Sequence, residues 1–142
     1  MAATPAGYSG TPLARKLGIV EGLRVATRNA PGDYLEWLAP LPPAVDFVDV
    51  SAAGVALFHL FHIERAALEA DLVALRPRVA RGDPVWVSWP KRSARVATDI
   101  SEDVIRSVAL PLGYVDIKVC AVSEVWSGLK LVVRKAARDA SR

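Results

Sequence analysis

Residues 54–61, GVALFHLF, are apolar at nearly every position. A strand with one wet face alternates polar and apolar side chains. A strand apolar on both faces must be covered on both, which is the situation of an inner strand in a parallel sheet. Parallel neighbours need crossover connections of a dozen or more residues, so a chain holding such a strand must supply helices to either side of it. A chain of 142 residues is the size of one domain and buries roughly 70% of its unfolded surface. Its 52% of hydrophobic residues is enough to build that core.

The flanking segments provide the helices. Thr11 and Pro12 read as a hydroxyl N-cap followed by proline at the first helical position, and Gly18 ends that short helix. Residues 23–29 form a first strand. Asp33 is placed to cap a helix that carries Leu35 and Leu38 on one face and stops before Pro40. Residues 45–50 form a second strand, and the run 54–61 a third. Over 64–81, Ala67, Leu68, Leu72, Leu75 and Val79 recur at helical spacing, with Pro77 expected to break the helix. Residues 85–89 form a fourth strand. Ser101 caps the next helix, with Glu102 and Asp103 in its first turn and Ile100 and Ile105 placed as a hydrophobic staple. Two alternating runs, 114–122 and 129–134, joined by SEVWSG, make a hairpin. The first run is expected to set Val115, Ile117 and Val119 against Asp116, Lys118 and Cys120 on the other face.

This order predicts a flexible lead over 1–10, a single α/β domain over 11–135 and a basic tail over 136–142. Three layers, with helices on both faces of a mostly parallel sheet of about six strands and an antiparallel hairpin at the C-terminus, resemble the methyltransferase variety of the Rossmann-like fold in shortened form. The resemblance implies the strand order 2-1-3-4-6-5. In open α/β sheets ligands sit beyond the carboxyl ends of the strands, where the order reverses. Here that point falls between the first and third strands, flanked by residues 29–33 and 61–64, with 88–95 beside it.

The first turn argues against the usual occupant. A dinucleotide or S-adenosylmethionine site needs closely spaced glycines after the first strand, and NAPGDY offers one glycine and a proline. No cofactor is predicted. Asp49, at the end of the second strand, reads as a turn residue. His59 and His62 are three apart at the end of a strand, which points them to opposite faces and prevents joint chelation, so no metal is predicted. His59 reads as a core histidine and Cys120 as an inert small hydrophobe. The net charge of +3 is spread along the chain, unlike the concentrated basic face of a nucleic-acid binder. No apolar run reaches the roughly 18 residues of a membrane span, and no signal-like segment opens the chain, so cytoplasmic residence is expected.

The strongest binding candidate is the loop WPKRSARVATD. Lys91, Arg92 and Arg95 precede the helix that starts at Ser101, whose amino end also attracts anions. A small phosphate, carboxylate or acidic partner suits them; a solvated basic loop is the alternative. Ser88, Trp89 and Asp99 belong to the same wall, and Asn29 and His62 face it from the crevice. Tyr8, Ser9 and Thr11 are expected to fold back over this loop.

Four blocks, GYSGTPLARKLGI, VWVSWPK, ATDISEDV and VDIKVCAVSEVWSGLKLVVRK, together resemble the bacterial family called domain of unknown function 3052, over nearly the whole chain. The resemblance implies a small stand-alone protein of Rossmann-like shape and supplies no catalytic residue. The expected function is non-catalytic binding of a small ligand or partner on a degenerate methyltransferase-like scaffold, as a monomer or homodimer. One alternative is an enzyme acting on a small anionic substrate, with Lys91 and Arg95 as clamps and His62 or Asp99 as acid/base. Another is a self-assembling protein that pairs through its outer hairpin strand.

Overall fold

The computed structural model describes residues 10–80 and 82–133. The proposed lead, apart from Gly10, and the basic tail lie outside the described residues. Six strands, β1 (Arg24–Arg28), β2 (Asp46–Asp49), β3 (Leu57–Phe61), β4 (Val85–Pro90), β5 (Tyr114–Ala121) and β6 (Trp126–Val133), form one sheet in the order β2-β1-β3-β4-β6-β5. The first four run parallel, and β6 enters antiparallel between β4 and β5. This is the expected topology.

β3 and β4 are buried at every position because each has a neighbour on both edges and helices on both faces. On one face, α3 (Arg65–Leu75) and α4 (Glu102–Ala109) pack Leu68, Leu72, Leu75, Ile105 and Val108 against Phe58, Leu60, Val87, Trp89, Leu129 and Leu131. On the other, α1 (Leu13–Leu17) and α2 (Tyr34–Leu38) pack Leu13, Leu17, Tyr34 and Leu38 against Val25, Leu57, Phe61 and Trp86. Trp86 and Trp89 thus serve opposite cores from one strand, as a spacing of three requires. The Trp86 indole N–H donates to the Leu17 carbonyl at 2.9 Å, which satisfies its one polar atom in the core.

Local signals hold at several ends. Gly18 closes α1 with a left-handed φ of 89°. Pro77 stops α3 at Leu75, and the chain continues as a 3-10 turn over Arg76–Arg78. The Ser101 hydroxyl accepts from the Val104 amide at 3.2 Å, and Ile100 and Ile105 are both buried in the same core.

Other expectations fail for identifiable reasons. Pro12 rather than Thr11 occupies the N-cap of α1, and neither it nor Asp33, ahead of α2, makes a side-chain cap. In α2 the inward residues are Tyr34 and Leu38, and Leu35 is 55% exposed, because a helix of five residues presents i and i+4 to the sheet. In β5 the register slips between Asp116 and Lys118, leaving Ile117 as an extra residue. The phase of the strand then reverses. Asp116 and Val119 share a face, opposite Leu131 and Leu129, while Lys118 and Cys120 share the other, opposite Lys130 and Gly128. Trp126, expected in the hairpin loop, is the first residue of β6 and pairs with Pro90.

Candidate ligand-binding site

The order reverses between β1 and β3, and side chains close this point. Asn29, the residue after β1, adopts φ 61°, a left-handed conformation that asparagine tolerates better than most residues. Its Nδ2 donates to the Phe61 carbonyl at 3.0 Å, tying the ends of the two strands together. At the end of β2, Asp49 Oδ2 accepts from the Ser51 amide at 2.9 Å and the Ser51 hydroxyl at 2.6 Å. These bonds hold its carboxyl below the ordinary range and commit it to its own turn, as read from the sequence.

Beside the Asn29 bridge lies a crevice of about 380 Å3, lined by Asn29, Phe61, His62, Ile63, Glu64, Ala67 and Trp126. His62 is buried, and its Nε2 lies 2.7 Å from Asp71 Oδ2 on α3. Arg28 Nε lies 2.9 Å from the same oxygen, an ion pair whose N–H is not aligned for a hydrogen bond. The Trp126 ring meets Phe61 edge-on at 5.1 Å, forming the aromatic wall.

Behind that wall, His59 is wholly buried, with Tyr34 Oη 2.8 Å from Nδ1 and Ser88 Oγ 2.7 Å from Nε2. Burial pushes its pKa down to about 3 and raises that of the Tyr34 phenol. The ring is therefore neutral, donating through one nitrogen and accepting through the other. The arrangement looks like a nucleophilic triad but is sealed, because Ser88 is itself fully buried. His59 is a satisfied core histidine, and Ser88, expected at the ligand wall, faces it instead of solvent.

A second, wider hollow of about 780 Å3 runs between the end of β4 and the start of α4. Trp89, Lys91 and Arg92 line one side, and Glu102, Asp103 and Arg106 the other. Arg106 bonds Glu102, Asp103 at 3.1 Å and Asp116 at 2.8 Å, and the carboxylates of Asp116 and Glu102 hold it more firmly protonated. Lys91 and Arg92 make no ion pair among the described residues. Asp99 lines the furrow, but its Oδ1 accepts from the Arg65 amide at 2.6 Å, satisfying an orphan donor of α3. Thr98 likewise donates to the Ile63 carbonyl at 2.6 Å, so this loop is stapled to the crevice rim.

The structure thus divides the expected site residues. Asn29 and His62 meet in the crevice; Trp89, Lys91, Arg92 and Asp99 meet in the furrow. Arg95, at φ 59°, is exposed at the end of a 3-10 turn and does not line the furrow. Thr11 lies apart, in a hollow with Arg15, Lys16 and Lys118. Tyr8 and Ser9 lie outside the described residues. Burial raises the pKa of the Cys120 thiol, which leaves it protonated and inert. No cluster suited to a metal ion occurs among the described residues, and no helix among them is long and apolar enough to cross a membrane. Sequence reasoning missed Asp71 and Arg106. Each is a charged residue within a helix, and nothing in the local pattern marks the partner that folding brings to it.

No protein-family model and no curated protein sequence matches the chain. Solved structures do resemble it. A putative type 11 methyltransferase from Sulfolobus solfataricus superposes with a TM-score of 0.61 at 10% identity, over 87% of this chain and 90% of that one. Fibrillarin from Aeropyrum pernix, with bound S-adenosyl-L-methionine, gives 0.58 at 13% identity, over 84% and 73%. LepI in complex with SAM gives 0.54 at 11% identity over 87% of this chain but 47% of its own, so the chain spans about half of LepI. At these identities the likeness is one of fold: the chain has the Rossmann-like architecture of methyltransferases.

Proposed function

We propose that this chain is a non-catalytic binding domain on a degenerate methyltransferase-like scaffold, with a small phosphate- or carboxylate-bearing ligand held in the furrow beside β4. The observation that carries the reading is the Asn29–Phe61 bridge, which occupies the switch point where a cofactor would need an open, glycine-rich turn. Among the described residues Lys91 and Arg92 are the cations without an ion pair next to the larger hollow, whereas Arg106 across from them is saturated by carboxylates. The reading includes membership of the family called domain of unknown function 3052 and residence in the cytoplasm, as the sequence blocks and the single cysteine suggest.

A thermal-shift screen tests it. Inorganic phosphate, small phosphate esters, carboxylates and S-adenosylmethionine are each titrated onto the wild type and onto Lys91→Ala/Arg92→Ala. A ligand at 100 times its dissociation constant stabilises by about 2.7 kcal/mol. A small anion is expected to raise Tm in the wild type only. A raised Tm with S-adenosylmethionine would overturn the reading.

A further inference from the structure

The crevice has chemistry of its own, distinct from that of the furrow. An ionised Asp71 can only accept, so a neutral His62 must donate to it through Nε2–H, and Nδ1 is then a lone-pair acceptor. Nδ1 has no hydrogen-bond partner among the described residues. His62 Nδ1 is not among the enclosed side-chain atoms left without a hydrogen bond, and His62 lines the crevice. Asn29 has given its Nδ2 to Phe61 and keeps Oδ1 as an acceptor. Glu64 lines the same space and forms no ion pair among the described residues. Among the described residues no lysine or arginine lines it, and Trp126 supplies an aromatic ring.

A buried histidine held by a carboxylate, an amide oxygen, a free carboxylate and an indole make a wall of acceptors with one π surface. Such a wall favours a group that brings several N–H donors and positive charge, and it disfavours an anion. We propose that the crevice is a recognition site for a primary ammonium or guanidinium group, with N–H donated to His62 Nδ1 and Glu64 and the cation set against Trp126. Asp71 acts as a positioning residue: it fixes the His62 tautomer without meeting the ligand. The site is separate from the furrow and does not depend on the anion-binding reading.

Chemical-shift mapping of the whole chain with benzylamine, with benzoate as its anionic counterpart, and with the peptide acetyl-Gly-Arg-Gly-amide tests the proposal. Benzylamine or the peptide is expected to move the resonances of His62, Glu64 and the Trp126 indole, while benzoate leaves them in place. Tighter binding of the peptide assigns the site to a protein partner, and tighter binding of benzylamine to a free amine. Glu64→Gln should weaken binding about tenfold, the scale of one charge-assisted hydrogen bond. Lys91→Ala/Arg92→Ala should leave it unchanged. His62→Gln should also weaken it; if that variant fails to fold, Glu64→Gln decides, since Glu64 is exposed and makes no cap bond. Equal response to benzoate, no response at these three residues, or an unaltered affinity in Glu64→Gln overturns the proposal.

Discussion

The side-chain amide of Asn29 donates to the backbone carbonyl of Phe61 across the gap where the strand order of the sheet reverses. In an open α/β sheet this gap is where a ligand's polar groups approach the backbone. Here the chain's own amide fills that role, and the residue that supplies it is held at a positive φ.

Asn29→Ala is expected to lose about 1–2 kcal/mol, combining a lost hydrogen bond with the cost of a left-handed alanine. Asn29→Gly should recover part of this loss, since glycine tolerates the conformation while still lacking the bond. Urea midpoints at constant m-value would separate the two terms. Equal stability of all three proteins would show that the bridge contributes nothing.

His59 gives a pH signature. Its folded pKa, about 3, lies below the ordinary 6.5. Between these values the unfolded chain binds a proton that the folded chain refuses. Stability from this group is complete above pH 6.5 and is lost as pH falls toward 3, at about 1 kcal/mol per pH unit. His59→Gln should be less stable at neutral pH and should lack this part of the slope. Parallel curves for the two proteins between pH 7 and 4 would contradict a neutral buried imidazole.

Gly128, in β6, leaves room for the second core. A Cβ there would lie 3.0 Å from Val122 Cγ2 and 3.3 Å from Trp86 Cε3. Gly128→Ala is expected to cost about 1–3 kcal/mol through overpacking. It should also disturb Ser88, which faces the same position. Thermal denaturation with near-ultraviolet circular dichroism, which reports the Trp86 environment, measures both effects.

Single substitutions Lys91→Ala and Arg92→Ala should each lower affinity for the furrow ligand about tenfold, with stability unchanged within roughly 0.5 kcal/mol. Arg95→Ala, outside the lining, should change neither. Loss of binding in Arg95→Ala alone would place the ligand elsewhere on the loop.

Much of the fold was legible because its signals are local or periodic. The apolar run of β3, the proline after Arg76 and the Ser101 cap each act within a few residues, and the structure follows them. β5 was misread because alternation carries no mark of an inserted residue: Ile117 looks like any outward or inward position until β6 is laid beside it. The site was legible in outline only. Its two halves come from strand ends, which topology places, but the commitments of Asp99 to the Arg65 amide and of Arg106 to Asp116 depend on contacts 34 and 10 residues away in the chain. Those pairings decide which charges are left for a ligand.

The irregularity at Ile117 lies in β5, the strand that borders the sheet on the hairpin side. Beyond it, β5 carries a lysine at position 118 and no longer offers the even pitch of donors and acceptors that an incoming strand would need. A second copy pairing along this border would have to accommodate the slipped register and the lysine, which is expected to disfavour extension of the sheet past β5.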